Sequence, residues 1–248
     1  MLTQPTLDKL RRMRLVGMAE AFAAQMRLSD YQGLSFEERF GNLVDQEWTY
    51  RQDRRLARLL KEAKLRLSAC LEDIDYQTPR GLDRALMASL AGGQWIGHHQ
   101  NILITGPTGV GKTFIACALA HGAIRLGFSC RYYRLSRLLS ELVLARADGS
   151  YQKLMTYLAK TEVLVLDEWG TAPLNPVECR ELFEVIDDRT QKRSTIVASQ
   201  LPLEAWHAVF ADPTIADAVL DRLVHNAHKI NLRGESMRKV LAGTMAKE

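Results

Sequence analysis

The sequence predicts an α/β protein in which a parallel sheet is flanked by helices, with a small all-helical domain ahead of it. Three observations carry this. Short apolar runs at 101–105, 129–133, 162–166 and 194–198, and a weaker one at 229–232, alternate with helical patterns. The run Val163 to Leu166 is apolar throughout, as a central strand buried on both faces is. Residues 1–70, by contrast, have almost no β-branched runs and a single proline, Pro5.

In the helical domain, expected over 1–70, Leu15, Met18, Phe22 and Met26 make one apolar stripe. Ser35-Phe36-Glu37-Glu38 has capping-box spacing and opens a second helix, with Phe36, Phe40, Leu43 and Val44 expected to face inward. From Arg51 to Leu67, the residues Leu56, Leu59, Leu60, Ala63 and Leu67 recur at helical spacing. The other face carries Arg51, Arg54, Arg55, Arg58, Lys61, Lys64 and Arg66 against only Asp53 and Glu62. Such a face either neutralises phosphates along a nucleic-acid duplex or is simply solvated.

Residues 71–83, with Thr78-Pro79-Arg80-Gly81, read as a connector, and 84–248 as the α/β domain. Its helices are expected at 84–91, 112–126, 136–147, 151–159, 177–191, 203–210 and 214–226, with Gly127 closing the second. Two helical stretches lie between the second and third strands, where one would suffice. That extra piece carries Arg137, Arg146, Lys153 and Lys160, and either meets nucleic acid or a partner or simply packs. About 16 residues follow position 232, so a C-terminal helical lid is expected to be short or absent.

The most specific motif follows the first strand. Gly106-Pro107-Thr108-Gly109-Val110-Gly111-Lys112-Thr113 matches G-x-x-x-x-G-K-[ST], and Phe114 leads into an apolar helix. The three glycines let backbone N–H groups turn toward a polyphosphate, and the helix N-terminus adds partial positive charge. Lys112 is expected on the β- and γ-phosphates and Thr113 on Mg²⁺. The run Val163 to Leu166 ends in Asp167 and Glu168, acids placed at the C-terminal edge of a central strand, where such sheets bind ligands. Asp167 is expected to hold the Mg²⁺ and Glu168 to orient and polarise an attacking water. Ser199 and Gln200, after the 194–198 strand, are candidates for contacting the γ-phosphate or that water. Ile74 and Tyr76 are candidates for the nucleobase, and Arg238 for reaching the nucleotide from the C-terminal segment.

Composition bounds the class. The chain has 248 residues, 47% of them hydrophobic and 25% charged, with a net charge of +4, enough for one α/β domain and a smaller appendage. Neither a membrane-length apolar run nor a signal-peptide pattern is present, so a cytoplasmic protein is expected. Cys70, Cys117, Cys130 and Cys179 are widely spaced and read as reduced thiols. His225 and His228 lack a companion cluster and do not suggest zinc.

These residues resemble a known family. GPTGVGKT, VLVLDEWG (163–170), STIVASQLP (194–202), DAVLDRLVHNAHKINL (217–232) and GESMR (234–238) are similar to the IstB-type transposition helper ATPases of bacterial insertion sequences. These are AAA+ proteins related to the replicative helicase loaders. Leu7 to Phe22 also resembles the family's N-terminal helical domain. The resemblance implies a cytoplasmic ATPase, using ATP and Mg²⁺, that oligomerises on double-stranded DNA, remodels it, and recruits and stimulates a cognate transposase. It assigns Lys112 and Thr113 to the phosphate loop, Asp167 and Glu168 to metal and catalysis, and Gln200 to the sensor position. Arg222 falls where AAA+ proteins supply an arginine finger to a neighbouring subunit, with Arg189 as the rival. Arg51, Arg54, Arg55, Arg58, Lys61, Arg137 and Arg146 are the expected DNA contacts. Three other readings are a replicative helicase loader, a small-molecule phosphotransferase (disfavoured by the short C-terminus and the Asp-Glu pair), and a scaffold that ATP merely switches.

Overall fold

The computed structural model describes residues 3–31 and 33–237. Two compact units divide within one helix, Met1–Arg58 and Leu59–Glu248. Among the described residues no helix is long and apolar enough to cross a membrane.

The first unit holds helices α1 (Thr3–Arg12), α2 (Val16–Gln25) and most of α3 (Phe36–Ala63). Arg14, at φ +60°, separates α1 from α2. The capping box forms as expected: Glu38 N–H donates to Ser35 Oγ and Ser35 N–H to Glu38 Oε2. The helix it opens is longer than expected, because the basic segment continues it without a break. The inward set differs from expectation. Phe36 (77% exposed), Phe40 and Val44 face solvent, and Leu43 is half-buried. The reason is that α2 packs through small and polar groups. A Cβ on Gly17 would lie 2.7 Å from both the Gln46 carbonyl and Tyr50 Cβ, so only glycine permits this approach. Glu47 then accepts from Met18 N–H at the start of α2, and Gln25 donates to the Arg39 carbonyl. These polar contacts select the face of α3 that is covered, and the aromatic stripe is left outside.

The second unit is built on a five-stranded, fully parallel sheet of β1 (Asn101–Thr105), β2 (Cys130–Arg134), β3 (Val163–Trp169), β4 (Ser194–Ser199) and β5 (Ala227–Asn231). Their spatial order is β2-β3-β4-β1-β5. All five expected strands form, and β1 and β4 are buried along their whole length. The helices of this unit are α4 (Arg84–Ala91), a short α5 (Gln94–Gly97), α6 (Lys112–Arg125), α7 (Leu135–Asp148), α8 (Tyr151–Lys160), α9 (Pro176–Arg189) and α10 (Pro213–Val224). The connection from β1 to β2 runs one way across the sheet and all later ones run back. Right-handed crossovers therefore place α6 on one face and α7 to α10 on the other, where Leu139, Leu164, Leu166, Leu182, Val197 and Leu223 share a core. The reversal beside β1 opens a crevice at the carboxyl ends of the strands.

The helix expected at 203–210 is instead two 3-10 turns, Leu203–Ala205 and His207–Val209. Trp206 is drawn into the core against Trp169, with ring centroids 5.1 Å apart. Leu174 N–H donates to the Val209 carbonyl and Ala211 N–H to the Leu174 carbonyl, which pulls the chain into an extended bridge and stops helical winding.

Candidate nucleotide site

The phosphate loop leaves β1 at Thr105 and enters α6 at Lys112. Its shape requires glycine at two close approaches. A Cβ on Gly106 (φ +144°) would sit 2.3 Å from the Leu232 carbonyl oxygen, and one on Gly111 (φ +100°) 2.6 Å from the Arg80 guanidinium. Val110 is fully buried and anchors the loop, while Pro107 and Thr108 are exposed and Gly109 and Phe114 half-buried. Lys112 Nζ donates to the Gly106 and Pro107 carbonyls at 2.7 Å each, so the loop is curled about its own lysine. Burial pulls the Lys112 ammonium below its ordinary range, opposed by the Asp167 charge. A polyanion bound beside it would favour the charged ammonium and offset that cost.

Asp167 is 2% exposed and every contact it makes is specific. Its Oδ2 accepts from Thr113 Oγ1 at 2.8 Å and from the Tyr132 hydroxyl at 2.7 Å, and its Oδ1 from Glu168 N–H at 2.9 Å. Burial and the Asp167 charge both push the Tyr132 phenol upward, so it remains a donor. Among the described residues no group of three or more His, Cys, Asp or Glu is placed to hold a metal ion. A hydroxyl and a carboxylate 2.8 Å apart beside a phosphate loop are instead the hard oxygen donors suited to Mg²⁺ shared with phosphates.

The acidic strand differs from expectation in one respect. β3 does not end before the acids but runs on to Trp169, with a register shift between Leu166 and Trp169. Burial of Trp169 against Trp206 and Phe210, and the Ser199 hydroxyl donating to the Trp169 carbonyl, hold the strand in pairing beyond the shift. Glu168 sits within this bulge at φ +60°. The backbone turn re-aims its side chain, which is one-third exposed, to the crevice. Arg66 donates to Glu168 Oε1 at 2.7 Å, and Arg134 Nε lies 3.6 Å from the same oxygen.

Gln200 Oε1 accepts from Thr108 Oγ1 at 2.7 Å, which ties the end of β4 to the phosphate loop. Ser199 is buried, and its hydroxyl also accepts from Leu201 N–H, so it braces the strand end and does not face the crevice. A cavity of about 550 Å³ joins Lys112, Thr113, Asp167, Glu168 and Gln200 with Arg66, Asp73, Asp75, Arg80 and Met237. The nucleobase candidates need correction. Ile74 is buried, and Tyr76 lines a different cavity with Leu71 and Met87; their neighbours Asp73 and Asp75 line this one. Arg80, unremarkable in sequence, donates to the Val110 and Asp75 carbonyls and braces the loop from behind. Met237 N–H donates to the Gly109 carbonyl, which brings the Gly234–Met237 segment onto the loop; Arg238 lies outside the described residues.

The two candidate fingers separate cleanly. Arg189 is 1% exposed and donates to the Leu158, Thr161 and Ser194 carbonyls and to Thr195 Oγ1. Burial pushes its guanidinium below the ordinary range. It is a core brace, and the expectation of a rival finger is corrected. Arg222 stays accessible, paired with Asp187 at 2.8 Å and stacked over Phe183. Asn101, the first residue of β1, donates to the Arg222 carbonyl. Arg222 therefore lies at the opposite end of β1 from its own phosphate loop.

Of the basic residues, Arg51, Arg54, Arg55, Arg58 and Lys61 are all exposed along α3, Arg51 pairing with Glu47 and Arg54 lying over Tyr50. Arg137 is exposed on α7. Arg146 is engaged elsewhere: it pairs with the buried Glu181 and stacks on Tyr151, 3.8 Å from the ring centroid.

Comparison with known proteins agrees with this geometry. The profile of the family described as "IstB-like ATP binding protein" matches residues 8–242. The insertion-sequence ATP-binding protein y4pL of Sinorhizobium fredii is 51% identical, across 96% of this chain and 98% of that protein. Among solved structures, DnaI superimposes with a TM-score of 0.57 over 66% of this chain and 91% of its own, at 18% identity. The DnaC helicase loader does so with a TM-score of 0.55 over 68% and 99%, at 17% identity. The fold is thus the AAA+ P-loop fold, and the chain belongs to the IstB-like ATP binding protein family.

Proposed function

We propose that this protein of the IstB-like family hydrolyses ATP as a helper of an insertion-sequence transposase. It assembles with ATP into a homo-oligomer on double-stranded DNA, remodels target DNA, and recruits and stimulates the transposase. The reading draws on the relatives' names and, above all, on one observation: Glu168 is aimed into the crevice beside the Thr113–Asp167 pair. A site that only held nucleotide has no use for a second acid turned there by a strained, left-handed residue.

The roles follow from placement. Loop N–H groups and Lys112 hold the β- and γ-phosphates. Thr113 and Asp167 would hold Mg²⁺, which when bound offsets charge on the phosphate oxygens. Gln200, bonded to Thr108, is positioned to respond to the γ-phosphate. Glu168, at the edge of the crevice, orients the attacking water.

The test is assembly of the full chain on linear duplex, followed by light scattering and electron microscopy. Wild-type protein is expected to form larger complexes with ATP and duplex together, and Lys112→Ala to form none beyond those seen without nucleotide. Equal assembly by the variant would remove Lys112 from the site. The exposed arginines of α3 give a second measurement. Replacing Arg54, Arg55 and Arg58 with Gln is expected to weaken duplex binding alike on all sequences. If all three meet phosphates, the log–log salt slope falls by about 2.7. An unchanged slope would move the contact to another surface, with Arg137 the first candidate.

A further inference from the structure

We infer that Tyr132 is a positioning residue for the metal: its phenol fixes the Asp167 carboxylate, and so sets how tightly the site takes Mg²⁺. The inference rests on the reading of Thr113 and Asp167 given above and adds to it a residue of β2.

The strand pairing explains why this tyrosine reaches. β2 and β3 run parallel, and Tyr132 stands in register with Val165, two positions before Asp167. Residues two apart on a strand share a face, as do residues in register on neighbouring strands, so Tyr132 and Asp167 project from the same side of the sheet. Two residues of strand span about 6.6 Å, a step that a phenylalanine ring would leave without a donor. The tyrosine closes it, and its hydroxyl donates to Asp167 Oδ2 at 2.7 Å. Tyr133 belongs to the other face, where its hydroxyl accepts from Arg131 and donates to Glu141. Of the two adjacent phenols, one serves the site.

Counting acceptors shows what that bond does. A carboxylate offers about four lone-pair sites. Asp167 commits three of them within the chain, to Thr113 and Tyr132 on Oδ2 and to Glu168 N–H on Oδ1. Thr113 is itself a candidate metal ligand, and Glu168 belongs to the bulged end of β3. Tyr132 is the donor that the core holds still. It is buried, and its strand pairs with β3 without a break as far as Asp167. Its phenol stays protonated, pushed upward by burial and by the Asp167 charge. Mg²⁺ demands near-ideal octahedral geometry from its oxygen surroundings, so it is sensitive to a carboxylate that swings. Without the phenol Asp167 keeps its charge and loses a bond that stops its rotation.

The experiment measures binding of a fluorescent, non-hydrolysable ATP analogue to full-length wild type, Tyr132→Phe and Tyr133→Phe, in EDTA and in saturating Mg²⁺. Circular dichroism melting establishes that each variant is folded. Tyr132→Phe removes one oxygen and keeps the ring that fills the core. Its Kd in EDTA is expected to match wild type, whereas the gain in affinity conferred by Mg²⁺ falls about tenfold, the low end for an outer partner of a metal ligand. In a Mg²⁺ titration of ATP hydrolysis its midpoint rises by a similar factor. Tyr133→Phe keeps the wild-type gain. A Tyr132→Phe protein with the full gain overturns the inference. So does one weakened equally in EDTA and in Mg²⁺, because the hydroxyl then supports the phosphate loop or the strand and not the metal. Wild-type protein that binds the analogue with no gain from Mg²⁺ overturns the assignment of Thr113 and Asp167 to the metal, so the two failures are distinct.

Discussion

Glu168→Gln is expected to lower ATP turnover by about 10²–10⁴ while leaving nucleotide affinity within a factor of about two, the range over which a positioned general base contributes. The amide is isosteric with the carboxylate and still fills the space beside Arg66 and Arg134, so the bulge and its φ of +60° survive. Asp167, Thr113 and Lys112 keep their bonds, since none of them depends on the Glu168 side chain. What is lost is an acceptor able to draw a proton from water. ATP should therefore bind, persist, and prolong whatever assembled state it supports. Single-turnover hydrolysis with a fluorescent-nucleotide titration separates the two quantities. A variant that loses affinity and turnover together would make Glu168 a binding group, and one that loses neither would leave the protein an ATP-gated scaffold.

How much of this was readable from residues alone follows from the range of the forces involved. The phosphate loop was legible because its chemistry is local: three glycines, a lysine and a threonine within eight positions fix both the backbone and the ligand class. The central strands β1, β3 and β4 are legible because burial on both faces favours apolar runs, whereas β2 and β5, at the sheet edges, carry Arg131 and Lys229 and signal more weakly. The Asp167–Glu168 pair was found, but not the bulge that aims it, since that depends on Trp169 meeting Trp206 and Phe210 more than thirty residues away. Arg189 and Arg222 look alike in sequence. Only the packing of α9 against the sheet sends one into the core and leaves the other accessible. In sequence Arg66 is one more charge on a basic face, because nothing near it reveals a carboxylate 102 positions on. The inward placement of Phe36 and Phe40 failed for a related reason. A single close contact at Gly17 chose which face of α3 would be covered.

The distance between Arg222 and its own phosphate loop turns a family resemblance into a test. If Arg222 serves a triphosphate at all, it serves one held by another copy, because within the chain it sits at the opposite end of β1 and is paired with Asp187. Arg222→Ala is then expected to keep ATP binding and lose about 10³–10⁵ in turnover, the scale on which an arginine finger offsets transition-state charge. A loss alone does not show that it acts across subunits; mixing does. In oligomers formed from equal amounts of Arg222→Ala and Glu168→Gln, one kind of junction sets the intact Glu168 of the first against the intact Arg222 of the second. With random head-to-tail mixing about a quarter of the junctions are of this kind, so two nearly inactive proteins should regain about that share of wild-type turnover. Mixtures no faster than the sum of their parts would place Arg222 outside the reaction, as a surface partner of Asp187, and would leave the supply of charge to the γ-phosphate with groups of the same chain, Lys112 foremost.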